Sequence, residues 1–158
     1  MKKFEKNQAT SQVVVPEIAI NARNNGQIGK WTIGKDEYSS KDISLYIYGY
    51  ETFFGNFNNS GNGKPPENVL WWQVWFAVVE GEMPKNTVMV TYLKKKSLAN
   101  LSYTKAKAEA QGLDPAKLLF LPRFEKETKQ VAGTQVNYYY LSWDYKECSP
   151  EQYESLKL

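Results

Sequence analysis

The chain contains no histidine. That absence removes Ser-His-Asp and Cys-His triads, histidine zinc sites and histidine acid–base chemistry together. It has a single cysteine, Cys148, so neither an internal disulfide nor a thiolate metal cage can form. A nucleophilic Cys148 would need an activating base, and its neighbour Glu147 disfavours the thiolate instead. No apolar run approaches the ~20 residues that a membrane-spanning helix requires. A secretory leader is not read either. Glu5, Lys6, Asn7 and Gln8 stand where its apolar region would be, and Val13 to Val15 stop at Pro16 and Glu17. The free thiol and the missing leader pattern suggest a reducing, cytoplasmic setting.

Motifs for phosphate or carboxylate chemistry are also missing. Gly61-Asn62-Gly63-Lys64 looks faintly like a phosphate loop, but Asn58 replaces its first glycine and Pro65 its Ser or Thr. A glycosidase or magnesium nuclease needs only Asp and Glu. Asp36/Glu37, Glu80/Glu82 and Asp144 are the local candidates, and none lies in a recognisable motif. The chain therefore reads as non-enzymatic, with no cofactor and no metal.

What is present is apolar and aromatic. Of 158 residues 42% are hydrophobic and 15% aromatic, which excludes a disordered chain. That length suits one domain, able to bury roughly 70% of its unfolded surface without staples. Residues 1–12 read as a flexible polar tail and residues 13–158 as a single β-rich domain.

Strand signals dominate. They cover Val13 to Ala22, Lys30 to Ile33, Ser44 to Phe54, Val69 to Val79, Thr87 to Leu93 and Gln135 to Tyr145, with a charged edge strand over Phe124 to Gln130. Asn56 to Asn68 is a polar loop dense in turn residues. The run VLWWQVWFAVV from Val69 is apolar on both faces, as in a covered central strand, and forms a hairpin with the strand after it. Ser97 to Gln111 reads as a helix capped by Ser97, with Ala99, Tyr103, Ala106 and Ala110 along one face. Asp114-Pro115 opens a short helical turn ended by Pro122, and Ser149-Pro150-Glu151 opens a small C-terminal helix. The expected architecture is mainly β (α+β). It is an antiparallel curled sheet, or a small OB-like barrel, of five to seven strands with one inserted helix. The likeness to OB-type modules is architectural and carries no residues over.

The net charge of +3 is unevenly placed. Residues 1–84 balance at −1, residues 85–129 at +6 and residues 130–158 at −2. Lys105 and Arg123 belong to the basic segment. Its densest point is Lys94-Lys95-Lys96, running into a helix N-terminus that already favours an anion such as phosphate. The alternative for these lysines is solubility and edge protection.

Aromatics provide the second lead. Tyr46, Tyr48 and Tyr50 occur at period two, and Trp71 shares a face with Trp75. Tyr138, Tyr139 and Tyr140 are consecutive, so at least one ring must leave the core. Trp72 and Trp143 are expected to be buried, and Tyr46 and Tyr48 to keep part of their rings in water. Rings that stack on bases beside lysines that track phosphates are how single-stranded DNA or RNA is commonly held. The site residues expected on this reading are Lys94, Lys95, Lys96, Lys105, Arg123, Tyr46, Tyr48, Tyr50 and Trp71. The partner would be single-stranded nucleic acid, bound with low sequence specificity and away from membranes. The rival is a protein–protein module, such as an accessory, inhibitor or viral structural protein, whose aromatic face contacts a protein partner or a second copy of the chain. A carbohydrate-binding sandwich stacking sugars on Trp71 or Trp75 is a third reading.

Overall fold

The computed structural model describes residues 13–55 and 68–158. The expected tail over residues 1–12 and nearly all of the polar loop lie outside them. In chain order the elements are β1 (Ile20–Asn21), β2 (Arg23–Asn25), β3 (Lys30–Ile33), β4 (Asp36–Tyr38), β5 (Ser44–Gly55), β6 (Val69–Glu80) and β7 (Val88–Lys94). Then follow α1 (Lys95–Ala110), a 3-10 turn (Pro115–Lys117), β8 (Leu118–Val131), β9 (Thr134–Glu147) and α2 (Pro150–Leu156). Six strands in the order β1-β7-β6-β5-β8-β9 curl into a half-barrel, and β2-β3-β4 form a second, smaller sheet. The mainly-β fold with an inserted helix is thus as the sequence suggests.

The large sheet is mixed rather than antiparallel, because β1 runs parallel to β7 with Ile20 beside Met89. The segment before it follows the same edge: Val14 N donates to Asn86 O at 2.8 Å, and Val88 N to Val14 O at 2.9 Å. Pro16, which lacks an N–H, interrupts what the Val/Ile content reads as one continuous strand.

The covered β6 strand divides two cores. Trp72, Val74, Phe76 and Val78 pack with Leu45, Met89, Leu93, Leu118, Phe120 and Leu141, and Trp31 enters from the small sheet. Across the sheet, Tyr46, Val88, Leu119 and Leu156 form a second cluster with Trp75 against it. Trp72 is buried as expected, whereas Trp143 is only half-buried. Its Nε1 donates to Ser97 O at 3.1 Å, which holds the ring at the helix edge.

Helix α1 differs from expectation in cap and in face. Lys94 is the N-cap, and Ser97 lies inside the helix. The buried stripe is Ser97, Leu101, Thr104 and Ala108, while Tyr103 is 71% exposed. The reason is that α1 lies along the outer edge of β9, where backbone groups need partners. Leu141 N donates to Ser97 Oγ, and Asn100 Nδ2 donates to Leu141 O, both at 2.9 Å. Thr104 Oγ1 lies 3.2 Å from Trp143 O. A helix that covers a strand edge turns small polar residues inward, which an apolar-periodicity reading misses. Asn100→Ala should therefore destabilise by ~1–3 kcal/mol, the cost of leaving a buried carbonyl without its donor. Tyr103→Ala should stay within ~0.5 kcal/mol of wild type. Urea unfolding of both variants would check this assignment of helix faces.

Strand β8 also runs further than expected, passing through Pro122 opposite Trp143. Its register with β5 is a single pair, Leu45 with Phe120, so beyond that point its β5 side is an edge that tolerates proline. Ala132 (φ 50°) and Gly133 (φ 79°) make the two-residue turn into β9. The C-terminal helix and the turn capped by Asp114 form as read, and Ser149 makes a full capping box with Gln152.

Candidate functional site

The tyrosine row of β5 does not form. Ile47 pairs with Phe76 and Gly49 with Trp75, so Tyr48 is an extra residue in a β-bulge. The bulge turns Tyr50 to the inner face, where it pairs with Val74 and stacks on Trp72 with centroids 4.1 Å apart. Tyr46 stays on the other face, but only 7% of it is exposed, contrary to the expectation of a ring in water. Its hydroxyl donates to Ala116 O at 2.7 Å, and that of Tyr48 donates to Leu156 O at 2.6 Å. The 3-10 turn and α2 cover this part of the sheet, so Tyr46 is packed beneath them, while Tyr48 stays half-buried and keeps part of its ring in water, as expected.

Burial pushes the Tyr48 hydroxyl up to about 12, and burial raises that of Tyr46 as well. Each favours folding as the neutral phenol. That stabilisation is complete below the unfolded value of ~10 and is lost as pH rises through the folded value. Thermal melts should therefore show stability falling between pH ~10 and ~12, with a shallower fall in Tyr48→Phe. An equal fall in both proteins would separate Tyr48 from the alkaline transition.

The basic cluster is divided. Lys94 Nζ lies 5.0 Å from the centre of the Trp71 ring. Lys95 is exposed at φ 48°. Lys96 Nζ lies 5.0 Å over Tyr140 and is paired with Glu127. Lys105 is paired with Glu109 at 2.6 Å on the helix surface, and Arg123 is exposed on β8. Lys94 closes a strand and Lys96 is already helical, so consecutive side chains diverge to different walls.

Two of the expected residues, Lys94 and Trp71, do come together. They line a cleft of about 870 Å³ with Arg23, Tyr92, Tyr138 and Tyr139. The other described lining residues are Asn21, Asn24, Gly26 and Gln27, so among the described residues two cations and four aromatic rings face the space with no carboxylate.

Local chemistry builds each wall. Trp71, on β6, is largely buried; its Nε1 donates to Gly55 O at 3.0 Å, and Phe53 lies parallel to it at 6.5 Å. Tyr92 meets the Phe53 ring edge-on at 6.2 Å, and Gln73 Nε2 lies 3.2 Å from its hydroxyl. Strand β2 is held to the β7 edge by Asn24, whose Nδ2 donates to Thr91 Oγ1 at 2.8 Å and to Tyr92 O at 2.9 Å. The β2–β3 turn is tied to β9 by Tyr139 N donating to Gly26 O at 2.8 Å. Gly29 has φ +67°, and a Cβ there would lie 2.8 Å from the Tyr139 ring, so glycine is what lets this wall close. Lys129 Nζ lies 5.1 Å over Tyr138, whose hydroxyl donates to Glu127. No family model, curated protein or solved structure matches this chain.

Sequence reasoning missed Arg23, Tyr92 and Tyr139 as partners of Lys94. The Tyr138–Tyr140 run carried a signal, since all three rings are only half-buried. Nothing local marks Arg23, which reaches the cleft because β1 docks on β7.

Other candidates fit less well. A groove of about 540 Å³ along α1 mixes Lys96 and Lys107 with Glu125 and Asp144, so its charge is balanced. Among the described residues no group of three or more His, Cys, Asp or Glu side chains could hold a metal ion. Burial raises the Cys148 thiol, which opposes thiolate chemistry. Among the described residues no helix is long and apolar enough to cross a membrane.

Proposed function

We propose that this chain is a non-enzymatic protein that binds single-stranded DNA or RNA in the cleft between the β7 edge, the β2–β3 turn and β9. One observation carries the reading: among the described residues, Arg23, Lys94 and four aromatic rings line one cleft without a carboxylate. Arginine and lysine neutralise phosphates, and ring faces accept any base, so the mode has low sequence specificity. Duplex bases are already stacked on each other and could not enter between these walls. A cytoplasmic setting belongs to the same proposal and suits the free thiol of Cys148.

Titration of a labelled oligothymidylate at two salt concentrations tests it. Affinity should fall steeply with salt. Arg23→Ala/Lys94→Ala should reduce the log–log slope by about 1.4, since each phosphate contact contributes about 0.7 for single strands. No binding at low salt, or an unchanged slope in the double variant, would remove the cleft from nucleic-acid binding.

The protein–protein reading has one observation of its own. The cross-strand neighbours Phe54 and Leu70 are 74% and 37% exposed, an apolar pair able to serve as a contact hot spot. It would lead if the oligonucleotide titration failed.

A further inference from the structure

A second cavity opens where the β5 bulge, α1 and the 3-10 turn meet, with a volume of about 160 Å³. The bulge borders it. Tyr48 is taken up as the extra residue and packs against the second core cluster, and Gly49 follows with no side chain. Gly49 pairs with Trp75, so a side chain there would stand on the Tyr48 face, and only its backbone lines the space. The walls include Ile47, Val74, Leu101 and Phe120, and Tyr50 stacked on Trp72 adds a flat aromatic side. Among the described residues, Lys105 of α1 is the charged one lining the space.

The geometry points to a binding site for a compact aromatic carboxylate, with the ring in the cavity and the carboxylate at Lys105. Size sets the first limit, because an apolar cavity of ~150 Å³ accepts a benzene ring. Wall chemistry sets the second. A sugar or nucleobase would lose its water contacts against these apolar side chains without regaining hydrogen bonds, which is costly. Lys105 sets the third. Its bond to Glu109 raises its pKa, so it stays charged, and a solvent-exposed pair four residues apart on a helix is weak. A ligand carboxylate can therefore recruit the ammonium at little cost. The site is separate from the nucleic-acid cleft, and neither reading depends on the other.

Phenylacetate and its neutral counterpart phenylacetamide are the probes, read by amide chemical shifts of the ¹⁵N-labelled protein. Both should shift the amides of Gly49, Leu101 and Lys105, with phenylacetate bound about tenfold more tightly, as a charge-assisted contact implies. Lys105→Met should bring the two affinities together. Ile47→Phe should weaken both titrations about tenfold or more in a protein that still melts cooperatively, because the larger side chain, on the face of Phe76 and Val74, enters the space the ring would occupy. Saturating oligothymidylate should leave the phenylacetate titration unchanged. Absence of shifts at these amides with millimolar probe, or wild-type binding by a folded Ile47→Phe, would overturn the site. Equal affinity of the two probes for the wild type would overturn the carboxylate assignment.

Discussion

Trp31→Ala should destabilise the protein by ~3–5 kcal/mol, the cost typical of a large aromatic removed from a packed core. Trp31 has no exposed surface. It projects from β3 of the small sheet into the half-barrel core, with its ring centre 5.9 Å from that of Phe76 and 6.0 Å from that of Phe124. It is therefore a fully buried apolar link between the two sheets, beside the partly buried Ile33 and Tyr38. Its Nε1 is buried with no hydrogen-bond partner among the described residues. Trp31→Phe should consequently lose much less than Trp31→Ala, since an unpaired buried donor costs ~1–3 kcal/mol and phenylalanine removes it. Urea unfolding of both variants measures the difference. The β2–β3 turn is also a wall of the cleft, so Trp31→Ala should weaken oligonucleotide binding even where the protein remains folded. A wild-type unfolding midpoint in Trp31→Ala would mean that the small sheet does not dock on the half-barrel through this ring.

Tyr139→Ala should lose ~1–3 kcal/mol of affinity for a single-stranded oligonucleotide, the range for removing one ring that stacks on a base. The ring is half-buried, packs over Gly29 and faces Arg23 and Lys94 across the cleft. Tyr139→Phe should bind nearly as well as wild type, because stacking uses the ring and not the hydroxyl. Tyr48→Ala is the informative contrast. It should lower stability and leave affinity unchanged, because Tyr48 packs beneath α2 and its hydroxyl is bonded to Leu156 O. Fluorescence anisotropy under conditions where all three variants are folded would compare them. Loss of affinity in Tyr48→Ala with none in Tyr139→Ala would return the binding face to β5.

The sequence reading erred on β5 for a definite reason. Period two places Tyr46, Tyr48 and Tyr50 on one face only while the strand stays regular. One extra residue at Tyr48 reverses the alternation, and the unusual feature there, Gly49 between two tyrosines, does not by itself specify a bulge. The lysine cluster is likewise divided, because adjacency in sequence does not survive a strand-to-helix transition. In α1 the polar residues Ser97, Asn100 and Thr104 gave no amphipathic signal, since their partners are backbone atoms of β9, more than 35 residues away.

Sequence alone determined the local features: the strands over Ser44–Gly55, Val69–Glu80 and Val88–Lys94, the α1 segment, the capped turns at Asp114 and Ser149, and the exclusion of histidine chemistry. Each depends on backbone preference or side-chain type within a few residues, which composition and periodicity report directly. Tertiary structure alone decided which rings are buried, where β5 bulges, and that Arg23, Lys94, Tyr92 and Tyr139 share a cleft. Those outcomes depend on pairing across long stretches of chain, such as β1 beside β7 and the β2–β3 turn against β9. Long-range pairing is selected by the combined burial and hydrogen bonding of the whole molecule, and no short window of sequence contains both partners.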